Sequence, residues 1–230
     1  MRKGLTIFSL LFIILIVFGQ FVLPSLAERT AQARIMAGDR ATAADVTLHS
    51  QPSILLLLGQ IDMVKAKADG LRIGQLRLQQ VTMQGRNVRI DVSSFLMDDE
   101  LSVRSADELS FTGVIREDNI QDLLQRRVDK LQNVQVKITR GSIKATAQAK
   151  IFGRMADIDL EGTVIENDGG LYFHMTRLNI RNAVLGKTSM GELFGDILLT
   201  KLTALPLKAQ VDSVDMQDGQ IVVTASCHNS

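Results

Sequence analysis

Three histidines, one cysteine and 25 carboxylates are the side chains that could perform acid–base, nucleophilic or metal chemistry in this chain. Their spacing supports little of it. His49, His174 and His228 stand far apart, each in or beside a strand-like stretch, and only Cys227-His228 sets two ligand types side by side. A fraying terminus accounts for that pair more cheaply than a metal site does. The lone cysteine permits no internal disulfide and no Cys/His zinc cluster. Asp98-Asp99-Glu100 is the densest acidic run, and Asp157, Asp159 and Glu161 alternate along one expected strand. Solvated turns and strand faces explain both without a catalytic pair. Gly186-Lys187-Thr188 matches the end of a phosphate-binding loop, but Arg181 stands where that loop requires its first glycine. Gly-x-Ser-x-Gly, His-Glu-x-x-His and Gly-x-Gly-x-x-Gly are all missing. No catalytic, cofactor or metal site is expected.

Charge and aromatic content narrow the classes further. Lys and Arg number 26 against 25 Asp and Glu, and without Arg2 and Lys3 the remainder is 24 − 25 = −1. Such a balance exerts no general pull on nucleic acid. Outside the N-terminal run the aromatics are Phe95, Phe111, Phe152, Tyr172, Phe173 and Phe194, too few for a base-stacking platform. With 46% hydrophobic residues in 230, the chain has ample material for a core and is no disordered tail.

The elements that would position any site begin with a membrane or export segment. From Leu5 to Leu23, 15 of 19 residues are apolar, preceded by Arg2-Lys3. A helix of that length spans about 28 Å, near the thickness of a bilayer's hydrocarbon core. Two readings stand. Ser25-Leu26-Ala27 could end a cleaved signal peptide, whereas the full length of the run suits an uncleaved signal anchor. Both export the rest of the chain, and the positive start places it outside the cytoplasmic membrane. Near-absence of cysteine fits an exported bacterial protein that does without disulfides. The expected organisation is a signal segment at 1–27, a helix or linker at 28–44, and a β-rich domain at 45–230.

Within that domain apolar residues recur with period two. Val46/Leu48, Leu71/Ile73, Leu76/Leu78, Val81/Met83 and Val88/Ile90/Val92 come first, then Leu101/Val103. Val134/Val136/Ile138, Ile143/Ala145/Ala147, Ile158/Leu160, Leu171/Phe173/Met175 and Leu178/Ile180 come next, and Val211–Met216 and Ile221/Val223/Ala225 close the series. Turn signals separate them at Asp69-Gly70, Arg140-Gly141, Asn167-Asp168-Gly169-Gly170 and Asp218-Gly219. Two amphipathic helices are expected. One covers Glu117–Leu131, with Ile120, Leu123, Leu124, Val128 and Leu131 on its apolar face. The other opens on the capping box Ser189-Met190-Gly191-Glu192 and lines up Met190, Leu193, Phe194, Ile197, Leu198 and Leu202. The fold class is α+β, with long curved antiparallel sheets wrapped on one or two amphipathic helices behind an N-terminal transmembrane or signal helix.

One feature resists a housekeeping account. Pro52-Ser53-Ile54-Leu55-Leu56-Leu57-Leu58-Gly59 places five aliphatics in succession, apolar on every side of a helical turn. They form a buried plug, line a cavity, or make an exposed tip that meets lipid. The Pro-broken loop Leu202-Thr203-Ala204-Leu205-Pro206-Leu207 is a second apolar candidate.

In order, these pieces resemble the LmeA-like phospholipid-binding proteins of bacteria. The similarity begins with the apolar leader and an Ala/Arg/Glu-rich helix, and continues through Pro52 to Ile61, where the family has an apolar-Pro-apolar segment ending in Leu-Leu-x-Gly. It extends through Val64 to Leu78, Val88 to Ser94, the helix around Asn119 to Leu124, and the closing Asp218 to Ala225. The chain departs from the pattern where Ser50, Gln51 and Ser53 replace aromatics. The resemblance implies a non-enzymatic, exported envelope protein that binds phospholipid or another envelope lipid, on an elongated sheet curved around a helix as in tubular lipid-binding folds. Membrane is the expected surrounding and nucleic acid is not a partner. Aliphatic lining suits flexible acyl chains, attracted by about 0.8 kcal/mol per buried methylene. The lipid-contact candidates are Ile54, Leu55, Leu56, Leu57, Leu58, Leu193, Phe194, Ile197, Leu205 and Leu207. The rival expectation is a structural or scaffolding envelope protein with a self-buried core; an exported hydrolase ranks third.

Overall fold

The structure is a computed structural model that describes residues 20, 22–37, 41–92, 94, 102–127, 131–151, 154–182, 196–201 and 209–228. Helix α1 (residues 22–36) is followed by β1 (Ala43–His49), a 3₁₀ turn (Ser53–Leu58), β2 (Gln60–Asp69), β3 (Arg72–Ile73), β4 (Leu76–Arg77) and β5 (Gln80–Ile90). Next come β6 (Val103–Ser105), β7 (Glu108–Arg116), helix α2 (Glu117–Arg127), β8 (Leu131–Ile138), β9 (Ile143–Ile151) and β10 (Arg154–Asn167). The chain closes with β11 (Gly170–Arg181), β12 (Ile197–Lys201), β13 (Gln210–Gln217) and β14 (Gln220–His228). Among the described residues no helix is long and apolar enough to cross a membrane. The run expected to do so lies almost wholly outside them, as do Asp98, Asp99, Glu100, the Gly186-Lys187-Thr188 loop, the capping box at Ser189, Leu193, Phe194, Leu205 and Leu207.

Two compact units divide the chain: Met1–Ala68, Thr82–Ser110 and Cys227–Ser230 form one, and Asp69–Val81 with Phe111–Ser226 the other. In the first, β1, β2 and most of β5 lie side by side in that order, with β6 beside β5. Its interior is built from alternating positions: Val46, Ile61, Val64, Ala68, Val88 and Leu109 are buried. Gly85 has no room for a side chain, because a Cβ there would lie 2.7 Å from Val88, 2.9 Å from Val64 and 3.0 Å from Leu109. The apolar alternation on β5 changes phase between Met83 and Val88. Asn87, left-handed at φ 49°, lies in that interval, a conformation asparagine tolerates better than most residues. Its amide donates to the Asp107 carboxylate, and Asp107 N–H donates to the Arg86 carbonyl at 3.1 Å.

The second unit contains a five-stranded sheet ordered β12-β11-β10-β9-β8, the β3–β4 hairpin, α2, and the β13–β14 hairpin, in which β14 neighbours β7. Three of the four expected turns form, at Arg140-Gly141, Asn167–Gly170 and Asp218-Gly219. At Asp69-Gly70 the chain runs on, Gly70 N–H donating to the Gln79 carbonyl at 3.0 Å, and it reverses instead at Gly74-Gln75, where Ile73 pairs with Leu76. Asn167 pairs with Gly170 across Asp168 and Gly169, at φ 47° and 69°, the left-handed pair that matches strand twist. Phase changes in the sequence appear here as bulges. Leu171, Phe173 and Met175 share one parity and Leu178 and Ile180 the other. Opposite them Glu161 pairs with Arg177 and Gly162 with Met175, so Thr176 is the extra residue. The same device lies at Asp212, between Val211 and Val214, and around Asn133, between Leu131 and Val134. Without these insertions each later apolar residue would point to water.

The core of this unit is closed by its own side chains. Ile120, Leu123 and Leu124 of α2 join Val136, Ile138, Ile143, Leu160, Leu171, Phe173, Leu199 and Ile221 in one buried cluster. Among the described side chains, the inward face of β9 contributes Ile143 and the small Ala145, Ala147 and Ala149. At Gly162 a Cβ would come within 2.4 Å of the His174 carbonyl and 2.7 Å of the Phe173 ring, so the glycine admits that ring. Glu117 Oε1 accepts the Ile138 N–H at 2.9 Å, and Asn119 Oδ1 accepts the Arg116 N–H at 2.9 Å, fixing the start of α2.

Two expectations about helices are corrected. Leu131 opens β8 and is not the last turn of α2, which is described to Arg127. Ile197 and Leu198 belong to β12 and not to a second helix: Phe173 pairs with Ile197 and Tyr172 with Leu198. A short aliphatic run fits either period, and pairing with β11 decided it.

Candidate functional site

The Pro52–Gly59 segment is not a fully buried plug. It folds as a 3₁₀ turn, with Leu55 N–H donating to the Pro52 carbonyl and Gly59 N–H to the Leu56 carbonyl, each at 3.0 Å. At three residues per turn its side chains fall into rows. Ser53, Leu56 and Gly59 face inward, being buried, half-buried and buried. Ile54 and Leu57 face outward at 57% and 56% exposure, flanked by Leu58 at 67% and the half-buried Leu55. An aliphatic cap thus stands in solvent on a compact turn.

Polar tethers hold the base of that cap. Ser53 Oγ donates to the Gln20 carbonyl at 3.1 Å, with Gln20 Oε1 and the Ser50 carbonyl each 3.4 Å away. Ser50 Oγ donates to the Gln60 carbonyl at 3.1 Å, and Gln51 N–H to Asp62 Oδ2 at 2.8 Å. Ile90 N–H donates to the Gly59 carbonyl at 2.9 Å. Gly59 itself is left-handed at φ 73°, and a Cβ there would lie 2.3 Å from the Ile90 carbonyl oxygen. No other residue could close the turn against β5 so tightly.

The partners of Gln20 give the tip its neighbourhood. Glu28 Oε1 accepts the Leu48 N–H at 2.9 Å, and Gln32 Nε2 donates to Asp45 Oδ1 at 3.4 Å. Helix residues 20, 28 and 32 therefore meet 53, 48 and 45 in turn, so the helix runs antiparallel to β1. Its N-terminal end, at Gln20, lies at the tip.

The remaining candidates separate from this cluster. Ile197 is half-buried in β12 and packs on the core of the second unit. Leu193, Phe194, Leu205 and Leu207 fall outside the described residues. Apolar exposure is distributed unevenly among the described residues: Leu26, Met36, Ile54, Leu57, Leu58 and Met63 belong to the first unit, against Met155 in the second. The second unit instead carries half-buried aliphatics beside its core, including Met175, Leu178 and Ile180 on β11 and Val211, Val214 and Met216 on β13. Two open hollows there are polar. One, of about 570 Å³, is lined by Arg140, Asp215, Met216, Gln217 and Asp218; the other, of about 420 Å³, by Arg116, Glu117, Asp118, Asp218, Gly219 and Gln220. Neither is built for hydrocarbon.

Asp157, Asp159, Glu161 and His174, weighed for chemistry, have structural partners. Gln148 and Asn182 donate to Asp157, Arg181 pairs with Asp159 at 3.1 Å, and Lys144 lies 3.8 Å from Glu161, all across neighbouring strands. His174 Nδ1 is 2.7 Å from Asp196 Oδ1 on the exposed face of β11. His49 is exposed on β1. Sequence reasoning missed Ser53 and Gly59 as tethers. The polar and glycine brackets around the aliphatic run were a local hint of a turn, but the 33-residue separation between Ser53 and Gln20 left none of their contact.

Among known proteins, the family model described as LmeA-like phospholipid-binding matches residues 18–226. No curated protein and no solved structure matches the chain.

Proposed function

Because the chain belongs to the LmeA-like phospholipid-binding family, we propose that it is an exported phospholipid-binding protein of the bacterial cell envelope, anchored by residues 5–23 or released after cleavage near Ala27. The family is defined by lipid binding and not by an enzymatic reaction. On this reading acyl chains lie along the aliphatic face of the second unit, where its core gives way to half-buried side chains. The observation that carries the proposal is that Met175, Leu178 and Ile180 on β11 and Val211, Val214 and Met216 on β13 pack against the core while staying only half-buried. A chain laid along them gains about 0.8 kcal/mol per methylene removed from water. Aliphatic walls impose little shape, which suits flexible tails.

The closed cluster beneath this face favours a second reading, a scaffolding envelope protein whose apolar residues are spent on its own core. Native mass spectrometry separates the two. After gentle extraction, the full chain is expected to carry phospholipid or to acquire it from liposomes. A protein that carries none and acquires none is the scaffold.

A further inference from the structure

We propose that the Ile54–Leu58 turn is a membrane-docking tip, whose outward aliphatics enter the hydrocarbon edge of a phospholipid bilayer beside the chain's N-terminal apolar run. This goes beyond binding a lipid molecule, and it rests on the anchored reading only in taking a bilayer as the neighbour.

Three observations converge on that occupant. The first is the surface itself. Ile54, Leu57 and Leu58 are each more than half exposed and adjoin one another on two rows of a single turn. A soluble monomer gains nothing from holding three large aliphatics together in water. The second is rigidity. Ser53, Gln51 and Gly59 tie the turn to α1, β2 and β5, so docking need not first order the tip. The third is position. Ser53 is hydrogen-bonded to Gln20, which in the sequence falls within a run with 15 apolar residues among 19. The cap therefore stands at Gln20, the position at which the sequence nears the close of a run of bilayer-spanning length. Stable association by lipid insertion takes two such signals, since one alone is readily reversed.

The chemistry of the tip identifies which feature of a membrane it reads. Residues 50–61 contain no charged side chain. Attraction to anionic headgroups is thus not its driving force, and a zwitterionic bilayer is sufficient. The half-buried Leu55 and Leu56 form the base, leaving a shallow insertion of the outer row alone.

The test uses the full chain reconstituted into phosphatidylcholine vesicles whose acyl chains carry a photoactivatable diazirine. After flotation and illumination, adducts are located in the peptide from Ala41 to Lys65. They are expected on Ile54, Leu57 and Leu58 and not on the exposed Thr47 of the same peptide. The double substitution Leu57→Ser, Leu58→Ser is expected to cut tip labelling about tenfold or more. Both positions are exposed, so folding is retained. Flotation without tip adducts overturns the docking tip and leaves the anchor standing, whether the chain's own N-terminal run or a second copy covers the turn. Labelling unchanged in the double variant overturns it equally. A chain that stays off the vesicles overturns both tip and anchor, whereas tip adducts on a protein that carries no lipid in native mass spectrometry sink only the lipid-holding function.

Discussion

Leu57 and Leu123 are the same side chain in opposite surroundings. Leu123 is 1% exposed on α2, in a cluster that α2, the five-stranded sheet and the β13–β14 hairpin fill together. Leu57 is 56% exposed on a turn whose polar ends are tied down and whose aliphatic middle is left in water. The first leucine contributes to folding; the second contributes almost nothing to it and is free to serve another purpose. The contrast teaches that the apolar residues of a lipid-binding chain need not share one task. Burial distinguishes those that hold the fold from those available to hydrocarbon.

Substitutions sharpen this contrast in decreasing order of effect. Leu123→Ala leaves a void in a closed cluster and is expected to lower stability by about 2–5 kcal/mol, measured by urea unfolding. Gly59→Ala combines a left-handed backbone with a Cβ 2.3 Å from the Ile90 carbonyl. A loss of about 1–3 kcal/mol is expected, with hydrogen exchange accelerated at the Ile90 amide. Ser53→Ala removes the donor to the Gln20 carbonyl and should cost about 1 kcal/mol, read as weaker exchange protection near the start of α1. Leu57→Ser is expected to shift stability by less than about 0.5 kcal/mol. If Leu57→Ser unfolded the protein as readily as Leu123→Ala, the two leucines would be equivalent and the tip would belong to the core.

Much of the β-architecture could be read along the chain because strands and turns are local. Alternation located most strands but not β2, β7 or β12, and Arg140-Gly141, Asn-Asp-Gly-Gly and Asp218-Gly219 located three of the hairpins. Even the parity change from Met175 to Leu178 foreshadowed the extra residue at Thr176. The failures lie where local pattern is degenerate. Ile197, Leu198 and Leu199 are apolar whichever period is imposed, so a helical stripe was as consistent as a strand until β11 paired with them. Leu131 extends the helical spacing of α2, yet its pairing with Ala149 makes it a strand residue. Five consecutive aliphatics after Ser53 carry no record of which side faces water.

By itself the sequence determined most of the strands, the helix after Glu117, the lack of any familiar catalytic spacing, and the family. These stem from periodicity, residue chemistry and order along the chain, all local quantities. Only the tertiary structure decided that Ile54, Leu57 and Leu58 stand in solvent while Leu123 does not, and that Gln20 meets Ser53. Exposure depends on which distant segments arrive to cover a side chain, and hydrogen bonds between residues 33 positions apart are made by the fold and not by the neighbours in sequence.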